Sequence, residues 1–237
     1  MGRVCSIERV SAGMTVTLGA DFVKSIEQSL HHWENLWRGN PSAQKTPTRL
    51  GDPLMADCLS LLGSSYYHLY LGDELQVLKR LASNADISFL LPDVKQPSLA
   101  LKAVKYAASS WLVRAKMGIA HLQRTAALEY GGHVLVTAYE GALILSWWLT
   151  KRSDPHHHFT LPDEYADDVA ALDEIFRDVL AEIEEQGIFD RMNVTPVGTV
   201  PLRFYRKLMV PWVWGYSSTI GERLDHFSQR VIELSST

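Results

Sequence analysis

Proline placement constrains this chain more than any other feature. The ten prolines stand at positions 41, 47, 53, 92, 97, 155, 162, 196, 201 and 211. They cluster in a few places and leave long intervals free of proline. A proline inside a helix costs about 3 kcal/mol, so those intervals are where helices can run. Apolar periodicity fills them. Leu18, Phe22, Ile26, Leu30, Trp33 and Trp37 recur at steps of three and four. That spacing predicts a helix over 18–37 with this stripe buried and Lys24, Glu27, Gln28 and Glu34 off it. A loop rich in Pro, Thr, Asn, Ser and Gly follows over 39–53.

A second helix is predicted over 54–71, lined by Met55, Cys58, Leu59, Leu62, Tyr66, Leu69 and Tyr70. Gly72 reads as its stop and Asp73 as the N-cap of a short helix over 74–82. Pro97 suits a first helical turn, and Leu101, Val104, Ala108, Trp111, Leu112 and Ala115 give that helix a buried stripe to about 117. Residues 116–148 are helix-compatible, with Gly118 and Gly131–Gly132 as the places to kink or break. The stretch 138–149 is the most apolar in the chain, interrupted by Glu140. A helix apolar nearly all round belongs at the centre of a fold.

A helix over 163–186 is strongly acidic, with a buried edge of Val169, Leu172, Ile175, Val179 and Ile183. It is expected at the periphery. Two last helices are predicted over 201–210 and 211–234. Weak alternation over 10–18 has no partner strand of similar quality. The expected fold is therefore all-α: an irregular multi-helix domain of about seven to nine helices. One domain is expected over 1–237, with an unplaced segment at 1–17 and loops at 150–163 and 187–200.

Length and charge restrict function. At 237 residues, 46% hydrophobic and 21% charged, the chain can bury a core without staples. Its only cysteines, Cys5 and Cys58, are far apart and belong to no paired motif. A structural zinc or iron–sulfur site is thereby excluded. So few cysteines suit a reducing compartment, cytosol or nucleus. A net charge of −4 and a pI near 6.1 argue against a nucleic-acid-binding surface, which usually carries a pI above about 9. No signal peptide is expected, and no stretch reaches the roughly 20 apolar residues of a membrane span.

Catalytic constellations are missing. The sequence has no dinucleotide, phosphate-loop, nucleophile-elbow or zincin motif. Glu27/His31, Glu129/His133 and Glu222/His226 stand at i, i+4, which shares a helix face but differs from the i, i+3 spacing of di-iron bundles. They read as solvated pairs. His156–His157–His158 lies between prolines in a loop, where nothing fixes a metal geometry. Cys58 reads as a buried thiol. Trp111, Trp147, Trp148, Trp212 and Trp214 read as core, with a pocket for a flat ligand as the alternative. No catalytic, cofactor-binding or metal residue is assigned, no cofactor is expected, and the chain is not read as an enzyme.

Certain blocks resemble a known family. Residues 25–38 (SIEQSLHHWENLWR) lead into 51–81 (GDPLMADCLSLLGSSYYHLYLGDELQVLKRL), with Tyr66, Tyr67, His68, Leu69 and Tyr70 at its Tyr-x-x-Leu-Tyr-like point. Residues 115–149 contribute Lys116, Gly118, Arg124, Thr125, His133, Glu140, Ala142, Leu143, Ser146, Trp148 and Leu149. Residues 212–224 close with WVWGYSSTIGERL. In this order the blocks resemble the carboxyl-terminal half of the regulatory, or middle homology, region of fungal-specific transcription factors.

The resemblance implies an all-helical regulatory module working in the nucleus on RNA polymerase II transcription. In such factors a zinc finger or binuclear zinc cluster lies upstream. This sequence has none, so a fragment, an incomplete gene model or a freestanding paralogue is expected. The implied partners are another protein or the missing DNA-binding region, with a small apolar ligand among the aromatic residues as a further option. Direct nucleic-acid binding and membrane association are not expected. The alternatives are a helical enzyme or binding protein for a hydrophobic small molecule, or a module that dimerises through an apolar helix. A terpenoid-cyclase reading fails on Asp167–Asp168, which Val169, Ala170 and Ala171 follow without a third carboxylate.

Overall fold

The computed structural model describes residues 20–40, 53–83, 88–120, 122–123, 132–154, 161–189, 196–209 and 215–235. Among them are seven α-helices and no strand: α1 (Ala20–Arg38), α2 (Pro53–Ser83), α3 (Pro97–Met117), α4 (Gly132–Ser153), α5 (Ala166–Glu185), α6 (Val200–Met209) and α7 (Gly215–Ser235). Turns of 3-10 helix at Asp163–Tyr165 and Val197–Thr199 introduce α5 and α6. The all-α expectation holds.

Helix α4 lies at the centre. Every residue from Thr137 to Lys151 is buried, and α2, α3, α6 and α7 all pack against it. Its apolar character on every side is the sequence cause of that position. α3 sits between α2 and α5, burying Leu101, Val104, Ala108, Trp111 and Ala115 as its periodicity predicts. α6 and α7 pack on each other beyond α4. Trp147 donates to the Pro92 carbonyl at 2.8 Å, which fastens the segment before α3 to the central helix.

Acidic α5 is peripheral, and it buries Leu172, Val179 and Ile183 with Phe176. Phe176 meets Trp111 edge-on, with centroids 6.4 Å apart. α5 ends in a left-handed glycine cap. Gly187 has φ +61°, its N–H donates to Glu184 at 3.0 Å, and the Ile188 N–H donates to Ile183 at 3.1 Å. That reciprocal pair satisfies two of the carbonyls a helix end leaves open.

Several boundaries differ from expectation. The helices predicted over 54–71 and 74–82 are one element, α2, bent at Leu71 (φ −131°, ψ 28°). The kink falls beside Gly72, where the sequence predicts a stop, and buried Leu71, Leu75 and Leu78 hold both halves of the helix to the core. The loop expected at 150–163 begins later. α4 continues to Ser153, and Lys151 folds down to Asp93 at 3.0 Å. The loop expected at 187–200 holds the 3-10 turn, whose Gly198 packs against Thr150 and Ser146 of α4. Described α7 begins at Gly215, and the weak strand signal, Leu18, Gly131 and residues 211–214 lie outside the described residues. Cys58 is half-buried rather than buried.

α1 differs from expectation in which residues lie deepest. Phe22 is 40% exposed, Trp33 38% and Leu36 64%, whereas Glu34 is only 7% exposed. Glu27 and Leu30 are half-buried. Ile26, Leu30 and Trp37 of the predicted stripe are half-buried, so the helix is turned only part of the way from expectation: its inward side is centred on Glu34, and Phe22 and Trp33 at the edge of the stripe look outward.

Candidate functional site

Two carboxylate-centred clusters organise the polar interior. The deeper is built on Glu140, the charge that interrupts the apolar run of α4 and is 1% exposed. Three groups of α2 converge on it. Ser64 donates to Oε2 at 3.1 Å, His68 Nε2 lies 3.0 Å from Oε1, and Lys79 Nζ lies 2.6 Å from Oε1. Eleven residues separate His68 from Lys79, about 16 Å along a straight helix. The bend at Leu71 falls between them.

Burial opposes the charge on Glu140. The His68 hydrogen bond and the Lys79 charge outweigh it and hold the carboxyl below its ordinary value. A carboxylate so stabilised is a weak base. Its donors all come from the protein, so this arrangement ties α2 to α4 and is poorly suited to proton transfer.

The second cluster joins α1 to α2 and α3. Glu27 and Glu34 are seven residues apart on one face of α1. Tyr70 donates to Glu27 Oε1 at 2.6 Å and Lys102 Nζ to the same oxygen at 2.8 Å. Glu34 Oε2 accepts from Tyr106 at 2.7 Å and from Tyr66 at 3.4 Å, while Arg38 holds Oε1 at 2.6 Å. His31 Nδ1 lies 3.2 Å from the Tyr66 hydroxyl. The rings of Tyr66 and Tyr106 stack 4.1 Å apart at 14°, and Tyr70 continues the stack at 5.5 Å from Tyr66.

Electrostatics match this geometry. The hydrogen bonds from Lys102 and Tyr70 hold Glu27 below its ordinary value. Burial works against Glu34, but Arg38 and Tyr106 bring it below as well. Burial and the facing carboxylates push Tyr70 and Tyr106 up, so both phenols stay protonated as donors.

The residues weighed from the sequence are distributed as follows. Glu27 and His31 do approach, at 3.9 Å, inside the α1 cluster rather than as an isolated surface pair. His226 Nδ1 lies 3.3 Å from the Ala82 carbonyl, and Glu222 accepts from Ser218. Glu129, the 156–158 histidine tract, Cys5, Trp212 and Trp214 lie outside the described residues. Asp168 pairs with Lys105 at 2.9 Å. Trp111, Trp147 and Trp148 are buried in the core. Among the described residues no three His, Cys, Asp or Glu side chains group as metal ligands, and no helix is long and apolar enough to cross a membrane.

Sequence reasoning singled out Glu140 but not Ser64 or Lys79 as its partners, nor the tyrosine stack as a receiver of carboxylates. The only available signal was the spacing: Tyr66/Tyr70 and Lys102/Tyr106 are both i, i+4 pairs of like function.

Comparison with known proteins supplies the remaining evidence. The family model described as the fungal transcription factor C-terminal domain matches residues 64–226. The match runs from within α2 to within α7 and leaves α1 outside. No curated protein and no solved structure matches the chain.

Proposed function

The chain belongs to the fungal transcription factor C-terminal domain family, and from that premise we propose that it is a nuclear regulatory module acting on RNA polymerase II transcription through protein contacts. DNA is read by a segment or protein other than these 237 residues, and the module performs no catalysis. The observation that carries this reading is the family match across residues 64–226.

Three features support it. The net charge of −4 disfavours a phosphate-gripping surface. The sequence offers no zinc-ligand spacing. The most deeply buried carboxylate, Glu140, is committed to Ser64, His68 and Lys79. The partner is a protein, either the DNA-binding part of the same factor or a separate regulator.

A fusion to an unrelated DNA-binding domain tests the proposal in yeast. Output from a reporter carrying that domain's site should change several-fold against the DNA-binding domain alone. Unchanged output would sink the regulatory reading. A mobility-shift titration of the chain by itself should show no sequence-specific retardation, and tight specific binding would overturn the division of labour.

A further inference from the structure

α1 meets the fold with a mixed face on which two carboxylates stand among apolar side chains. Its carboxylates Glu27 and Glu34 are received by donors, Ile26, Leu30 and Trp37 are half-buried beside them, and Phe22, Trp33 and Leu36 face solvent. The receiving surface is specific. Tyr66 and Tyr70 of α2 and Tyr106 of α3 form a stacked aromatic floor with hydroxyls at its edge. Lys102 stands over the Tyr70 ring at 5.5 Å. Phenol donors and one ammonium select carboxylates. Two carboxylates seven residues apart on a helix are separated by about 10 Å along its axis, which matches the two donor sets. The family match begins at Ser64, so the floor lies within the matched region and α1 does not.

We propose that the Tyr66–Tyr70–Lys102–Tyr106 face is a receptor for acidic helices, that α1 fills it in cis, and that a partner helix with carboxylates at i and i+7 displaces α1. The hold on α1 suits displacement. Lys102 is about half exposed, so its ion pair with Glu27 is screened by water and salt. Tethering by residues 39–52 gives α1 a high effective concentration, so a competitor wins only when that advantage is weakened or its own contacts are better. The partner class follows from the chemistry: an acidic segment that is helical when bound, presenting to this face what Glu27 and Glu34 present now. This proposal stands on geometry and does not depend on the transcriptional reading.

The test uses the full chain and a labelled synthetic peptide of residues 20–38, followed by fluorescence anisotropy. The peptide should bind the E27Q/E34Q chain roughly 10- to 100-fold tighter than the wild-type chain, because its own α1 no longer competes. A peptide carrying E27Q and E34Q should not bind, and adding Y70F/Y106F to the E27Q/E34Q chain should remove binding of the unaltered peptide. Equal affinity of the wild-type and E27Q/E34Q chains overturns the proposal, as does binding that ignores the peptide's carboxylates. Should E27Q/E34Q fail to fold, K102Q at an exposed position gives the same decision. Amide hydrogen exchange in 20–38 should then be faster than in wild type while α4 is unchanged, and unchanged exchange in 20–38 overturns the proposal.

Discussion

Glu140 shows how one residue can join two elements. It sits where an apolar side chain would pack, and three donors from α2 keep it ionised. Removing the charge leaves Lys79 and His68 facing an amide in a buried site. E140Q should therefore destabilise the protein by about 3 kcal/mol, measured by urea denaturation against wild type. The pH dependence has a definite sign. Glu140, Glu34 and Glu27 all lie below 4.5 in the folded protein. Each contributes stability that is present above about pH 4.5, the unfolded value, and is lost as pH falls through the folded value. Wild-type stability should thus decline on the acid side of pH 4.5, and E140Q should decline less steeply. Parallel acid limbs in the two proteins would contradict the assignment. The charge itself was legible, because Glu140 interrupts the most apolar run of the chain. Its partners were not. Ser64 and His68 are 76 and 72 residues away, and no local pattern pairs residues over that distance.

At the scale of elements, periodicity located the helices better than it oriented them. Buried stripes of α3 and α5 were readable because apolar burial decides their rotation. On α1 the stripe is only partly inward, with Ile26, Leu30 and Trp37 half-buried, because a stripe defines a face without saying what that face meets. Donors on α2 and α3 draw Glu27 and Glu34 inward beside those apolar residues. α2 does break its helical dihedrals at Leu71, beside the predicted stop at Gly72, and the packing of Leu71, Leu75 and Leu78 keeps the two halves together. Helix ends follow local rules more faithfully. Gly187 closes α5 at φ +61°, a conformation that L side chains adopt at a cost of about 1 kcal/mol. Nothing lies within 4 Å of a Cβ built there, so the strain stands alone without a clash. G187A should therefore lower stability by about 1 kcal/mol, read from the denaturation midpoint with an unchanged slope.

Across the whole molecule, the helices are held with very different strength. α4 is enclosed by α2, α3, α6 and α7, whereas α1 rests on α2 and α3 through side-chain hydrogen bonds and a few half-buried apolar residues. Native-state hydrogen exchange should follow this order. Amides of 137–149 should exchange only through global opening, and those of 22–36 through a local opening that costs far less. Exchange of α1 at the global rate would show that the helix is integral to the core. The central position of α4 was predictable from composition alone, since no face of it is polar enough for solvent. Which helices surround it was not, because that depends on contacts between distant parts of the chain.

Enclosure of α4 also shapes how this chain can vary. On a helix with one wet side, acceptable substitutions recur every three to four residues, as they should along α5 between Leu172, Phe176, Val179 and Ile183. Along 137–151 no side is wet. A saturation library should find tolerance there nearly flat, without helical rhythm, and set at each position by the volume its neighbours leave.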